Sequence, residues 1–201
     1  MPEPDLPALA AEALKLGYPP AGGAARIGVF GILRPQKGQI NALKAAAELN
    51  RKGLRFTLHL FGDGPDRLAL EAAASELGLK DIAVFHGEVA GPAPHMYAMD
   101  IVLIPSLFES FGYAAIEAFS MRRPVVAAAV GGLREIIKDG ATGLLAPPGD
   151  FNLMAAAVER LLSDPGLRAH LGENAFSDFV GRFTAVTMLA GLTDTYLRLA
   201  D

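Results

Sequence analysis

The strongest constraint on the fold is an alternation. The apolar runs RIGVFGIL (Arg26 to Leu33), RFTLHLFG (Arg55 to Gly62), IAVFHG, IVLIPS, PVVAAAVGG and TGLLAP read as six short strands. Between them lie QINALKAAAELNRKG, PDRLALEAAASELG, GYAAIEAFSM and LREIIKDG, which have helical spacing. Gly53 and Gly78 follow helix ends and Pro65 precedes a helix start, while PHMYAMD offers at most a turn or two. Each strand–helix pair fills about 25 residues. Strands apolar along their whole length have no face for water, so the sheet must be covered on both sides. The expected fold is therefore α/β: a Rossmann-like, doubly wound, parallel six-stranded sheet with helices on both faces. From Asp150, a candidate N-cap, the remainder reads as C-terminal helices, with breaks at Asp164-Pro165 and Phe183-Thr184.

Composition narrows the function classes. At 201 residues the chain suits one domain of ordinary size. Its hydrophobic fraction is 51% and its mean hydropathy +0.30, high enough to suggest either a sheet buried on both faces or apolar surface meant for another domain or a homodimer. Net charge is −4, the isoelectric point is near 5.6, and no run of Lys/Arg interleaves with aromatics, so nucleic acid is a poor partner. Without cysteine there is no disulfide framework and no thiolate metal site. The N-terminal stretch has no basic start before an apolar run, and no apolar run approaches the roughly 18 residues of a membrane span. A cytoplasmic protein is expected, peripheral to a membrane at most.

In such sheets ligands bind beyond the carboxyl ends of the strands. Here those ends carry GILRPQKG, FGDGP, FHGEV and PSLFES, where glycines and charges collect. In IPSLFESFGYAAIEAF, Glu109 and Glu117 stand eight residues apart around Gly112. A helix starting near Phe111 or Gly112 leaves first-turn amides free for an anion, and Gly112 lets it come close. Glu117 leans back toward that helix mouth and Glu109 projects from the loop before it, a pair suited to sugar and ribose hydroxyls. The competing reading leaves Glu109 in solvent and Glu117 on an exposed helix face. Arg34 and Lys37 could neutralise a diphosphate or belong to a solvated turn; since Lys37 precedes Gly38, this is no Walker loop. Asp63 with Gly62 and Gly64 fits a tight turn as well as a ligand contact.

The order LRPQKG, FGDGP, FHGEV, PSLFESFGYAAIEAF and RPVVAAAVGGLREIIKDGATGLLAPPGD, from about Ile27 to Ser163, resembles the C-terminal domain of group 1 retaining glycosyltransferases with the GT-B fold. The resemblance implies a nucleotide sugar as substrate and no metal or other cofactor. It implies that Lys37 holds the diphosphate, with an arginine nearby, and that Glu109 accepts from sugar hydroxyls. Phe111, Gly112 and Tyr113 would offer amides to sugar or phosphate, with Ser110 and Gly62 beside them. Glu117 would take the ribose and backbone near Val89 the base. Lys37 and Glu109 are thus the implied catalytic residues. The family's domains map to 1–25 as linker and N-terminal helix, 26–182 as donor domain and 183–201 as C-terminal helix.

Three departures stand out. Gly31-Ile32 occupies the place of the family's usual Gly-Arg, leaving Arg34, two residues on, either to substitute or to point to solvent. Arg122 replaces a glycine at a helix end, at a cost of about 1 kcal/mol if that site is left-handed. A GT-B enzyme also has an acceptor-binding N-terminal domain, expected here in cis or trans, without which transfer should be negligible. A non-catalytic nucleotide-sugar-binding or docking module is the alternative.

Other chemistries fit less well. A glycosidase needs both carboxyls facing one anomeric carbon across a cleft. His59, His86, His95 and His170 are scattered, with no pair at zinc-ligand spacing. Ser106 and Ser110 lack the G-x-S-x-G turn of an esterase, and no G-x-G-x-x-G follows the first strand.

Overall fold

The computed structural model describes residues 1–18 and 23–200. Residue 201 of the expected C-terminal helix and 19–22 of the expected linker lie outside them. The six anticipated strands form: β1 (Ala25–Phe30), β2 (Phe56–Phe61), β3 (Ala83–Gly87), β4 (Ile101–Ile104), β5 (Val125–Ala128) and β6 (Gly143–Ala146). All neighbouring pairs are parallel, in the order β3-β2-β1-β4-β5-β6. The chain starts in the middle, builds one half outward, then crosses back beside β1. That reversal leaves a crevice between the carboxyl ends of β1 and β4.

Nine helices surround the sheet among the described residues. They are α1 (Leu6–Lys15), α2 (Gln39–Arg51), α3 (Arg67–Glu76), α4 (Ala93–Tyr97), α5 (Tyr113–Ser120), α6 (Leu133–Ile136), α7 (Phe151–Ser163), α8 (Pro165–Arg182) and α9 (Ala185–Ala200). Strand alternation sorts the core. Ile101, Leu103 and Val126 join Leu43, Leu49, Met154 and Leu161 under α2 and α7. Val102, Ile104 and Val125 face the other way, with Phe119, Leu133 and Phe179 under α5, α6 and α8. Two cores back to back on one sheet explain why β4 and β5 carry no polar positions.

The helix ends obey local chemistry. Asp150 caps α7 by accepting from Leu153 N at 3.0 Å. Asp164 ends α7 and caps α8 by accepting from Leu167 N at 2.9 Å. The first residues fold against the domain: the Met1 ammonium donates to Phe183 O at 2.9 Å, and α1 packs on α4. Arg122, with φ 56°, is the one non-glycine residue of positive φ among the described residues, in the turn after α5.

One expectation fails. The histidines are not scattered: His59, His86 and His95 meet on the second face of β2 and β3. His59 Nδ1 lies 2.9 Å from His86 Nε2, and Tyr18 Oη lies 3.0 Å from His95 Nδ1. Phe61 stacks on His86 with ring centroids 4.3 Å apart. Alternation in FTLHLF puts His59 on the face opposite Leu58 and Leu60, and pairing to β3 brings His86 alongside. Sequence distance hid a contact that strand register creates. Among the described residues, no group of three or more His, Asp or Glu is arranged to hold a metal ion.

Candidate active site at the carboxyl ends of β1 and β4

A cavity of about 510 Å³ opens at the crevice between β1 and β4. Lys37, Glu109, Tyr113 and Glu117 line it, as do Gly62 and Val89 from the β2 and β3 sides. Residues far apart in sequence converge here because the crossover brings β4 next to β1.

Lys37 stands in a short 3-10 turn, Pro35–Lys37, between β1 and α2. The next residue, Gly38, has φ 65°, and a Cβ there would fall 2.1 Å from Pro105 O. Only glycine permits both the left-handed turn and the close approach of the two loops. Leu107 N donates to Gln36 O at 2.9 Å, tying the loop after β4 to the same turn. Lys37 Nζ thereby reaches Glu109 Oε2 at 2.6 Å. From the other side a Cβ on Gly131, φ 43°, would meet Glu109 O at 1.9 Å, so the VGG turn after β5 clamps the Glu109 backbone.

Glu117, on the second turn of α5, faces the same space. Burial pushes its carboxyl above the usual range, and among the described residues no side chain or amide donates to that carboxylate. It is an acceptor waiting for a donor. Gly112, with φ 105°, begins α5, and no side chain caps the helix, so its first-turn amides are free of side-chain competition.

The other expected residues are placed less centrally. Phe111 is exposed and its ring leans on Tyr113, with centroids 4.9 Å apart. Ser110 and Arg34 do not line the large cavity. They share an adjoining pocket of about 210 Å³ with Lys37, Glu109, Gln36 and Phe108. Ile32 faces the large cavity in the register where an arginine is absent. Among the described residues the lining therefore sets Lys37 against Asp63, Glu88, Glu109 and Glu117, an acidic balance around a single cation.

Sequence reasoning passed over Gln39. It is 2% exposed, lines the cavity, and donates from Nε2 to Ile32 O at 2.8 Å. This pins the loop that carries Lys37. The signal was a polar residue at the first position of a helix that packs into the core.

Comparison with known proteins identifies the family. Residues 15–178 match the family model for glycosyl transferases group 1. The alpha-D-kanosaminyltransferase of Streptomyces kanamyceticus is 40% identical over 147 residues, covering 72% of this chain and 38% of that protein. The D-inositol 3-phosphate glycosyltransferase of Acidothermus cellulolyticus is 38% identical over 183 residues, covering 83% and 39%. Anabaena HepE, crystallised with UDP, superposes with a TM-score of 0.84 at 28% identity, covering 94% of this chain and 52% of that one. A C-terminal domain of the group 1 glycosyl transferase LpcC from Francisella tularensis gives a TM-score of 0.77 at 28% identity, covering 88% and 93%. The chain thus spans about two fifths of the length of these curated relatives. With a family model matched over most of its length, a GT-B-type sheet and the Glu109–Glu117 pair on one cavity, the chain belongs to the group 1 glycosyl transferases.

Proposed function

We propose that this chain is the donor-binding half of a retaining glycosyltransferase that moves a sugar from a nucleoside-diphosphate sugar to an acceptor. One observation carries the reading: Lys37, Glu109 and Glu117 converge on a single cavity at the point where strand order reverses. That HepE was crystallised in complex with UDP supports a nucleotide as the ligand.

In this reading Lys37 binds the diphosphate, and its three donors let it keep Glu109 while it does so. Glu109 accepts from the sugar hydroxyls. The amides of Phe111, Gly112 and Tyr113 face the sugar or phosphate, with Ser110 and Arg34 approaching from the adjoining pocket. Glu117 takes the ribose hydroxyls, which offsets the burial of its carboxyl, and Val89 and Gly62 border the base end. Transfer breaks the anomeric C–O bond to the diphosphate and forms one to the acceptor oxygen on the same face, the acceptor hydroxyl's proton passing to the departing diphosphate. Charge grows on the departing diphosphate, where Lys37 and the positive end of α5 stabilise it. The reading assigns no metal or other cofactor.

The acceptor-binding site comes from the additional length that the relatives possess, supplied in cis or trans, and this half transfers nothing at an appreciable rate without it. Exposed Val186, Met188 and Leu189 on α9 give that companion, or a second copy of the chain, an apolar face. Light scattering of the chain alone decides between the two. Among the described residues no helix is long and apolar enough to cross a membrane. A cysteine-free chain also suits the reducing cytoplasm, where we place the reaction.

The test is a thermal-shift screen with UDP, GDP, ADP and their sugars. At least one should raise Tm, and Lys37→Ala and Glu117→Ala should each remove that shift. A shift unchanged in both variants would sink the assignment. Stabilisation without transfer after a companion domain is supplied would instead favour a binding module.

A further inference from the structure

The amino ends of β4 and β5, at the opposite edge of the sheet, hold a second cavity of about 340 Å³. Three arginines line it: Arg122 and Arg123 from the turn after α5, and Arg168 from α8. Its apolar walls include Leu6, Met121, Pro124 and Pro165. Asp100 and Glu173 also face it, but both have commitments. Asp100 Oδ2 accepts from Arg26 N at 2.8 Å, and Glu173 pairs with Arg122 Nε at 3.0 Å.

Arg123 marks the place. Among the described residues its Nε is the one buried side-chain nitrogen or oxygen without a hydrogen-bond partner. Such a group is costly and points to a partner not drawn from the protein. Burial depresses the basicity of this guanidinium, with Tyr97 and Asp100 pulling the other way. The guanidinium lies over the Tyr97 ring at 4.5 Å, which fixes its plane. Arg122 sits 3.7 Å over the Phe176 ring and keeps a left-handed backbone that a glycine would hold without strain.

We propose that this cavity binds a phosphate ester of a small metabolite. Planar guanidinium donors match phosphate oxygens, and the apolar walls leave room for a carbon skeleton about the size of one sugar ring. The site is independent of the donor cavity, which lies beyond the far ends of the same strands. α5 connects the two: its first turns carry Tyr113 and Glu117, and its last leads into Arg122 and Arg123.

The test follows the Arg123 Nε–Hε NMR signal of the 201-residue chain during titration with a hexose monophosphate, inorganic phosphate, and potassium chloride at matched ionic strength. The signal should move saturably with the hexose phosphate, at least tenfold more tightly than with inorganic phosphate, and hardly at all with chloride. Arg168→Gln should weaken binding about tenfold, and Lys37→Ala should leave it unchanged. If Arg123→Met folds, calorimetry should find no binding; if it does not, the half-exposed Arg168 carries the test. No saturable shift, an equal response to chloride, or loss of binding in Lys37→Ala would overturn the proposal. Hexose phosphate binding no tighter than inorganic phosphate would overturn the ester assignment.

Discussion

Glu117 holds a carboxylate in a half-buried place without a protein donor, so it costs stability in the absence of ligand. Its folded pKa lies above the unfolded one, so the folded state keeps the proton longer. Stability is then lost as pH rises through the folded pKa. Glu117→Gln should therefore raise Tm at neutral pH while removing the nucleotide-induced shift, a trade a calorimeter can read directly. Ile32 gives a second prediction. It lines the cavity and is 43% exposed, leaving room for a longer side chain. Ile32→Arg would add a charge-assisted contact of about 1.5–3 kcal/mol. Nucleotide affinity should rise roughly tenfold to a hundredfold, measured by isothermal titration. Arg122 tests a balance of local effects. Its backbone strain of about 1–2 kcal/mol is offset by the Phe176 ring and the Glu173 pair. Arg122→Ala keeps the strain and loses the contacts, and should cost about 1–2 kcal/mol in urea unfolding. Arg122→Gly should stay within about 1 kcal/mol of the parent, because strain and contacts leave together.

At the scale of elements, the turn between β1 and α2 determines whether Lys37 meets Glu109. Gly38→Ala puts a methyl against Pro105 O and strains a left-handed residue. It should lose at least about 2 kcal/mol and also the nucleotide response, since the two loops must part. Equilibrium unfolding and thermal shift on the same variant check both halves. The short helix α5 matters for a related reason. Its start carries no side-chain cap, and the close approach of Gly131 fixes the Glu109 backbone beside it. The exposed side chains Phe108, Phe111 and Tyr113 sit in this loop and at the helix start, where a companion domain would cover them.

Across the whole molecule, the histidine layer on the second face of β2 and β3 should lower stability in mild acid. His59 is pushed down to about 4 by burial, then by His86 and Arg26, and burial lowers His86 and His95 as well. Between pH 6.5 and about 4 the unfolded chain binds a proton at His59 that the folded chain refuses. Stability should therefore fall as pH drops through that window, by no more than about 3 kcal/mol for this residue. His59→Phe should flatten the slope, with urea midpoints compared at neutral and mildly acidic pH. The layer also touches the candidate site, because Phe61 stacks on His86 and lines its cavity.

The alternation of apolar runs and helices was enough for the parallel sheet, since strands covered on both faces are mostly apolar and the period of each run is local. The Glu109–Glu117 spacing and the lysine before Gly38 likewise marked the candidate site, because loop and helix-start chemistry is written in neighbouring residues. Three things lay beyond that reach. Gln39 pinning the Lys37 loop, His59 meeting His86, and Arg122, Arg123 and Arg168 lining one cavity each join residues from separate elements. Such contacts arise from strand register and helix packing, which are set by the folded chain as a whole and not by any one segment of it.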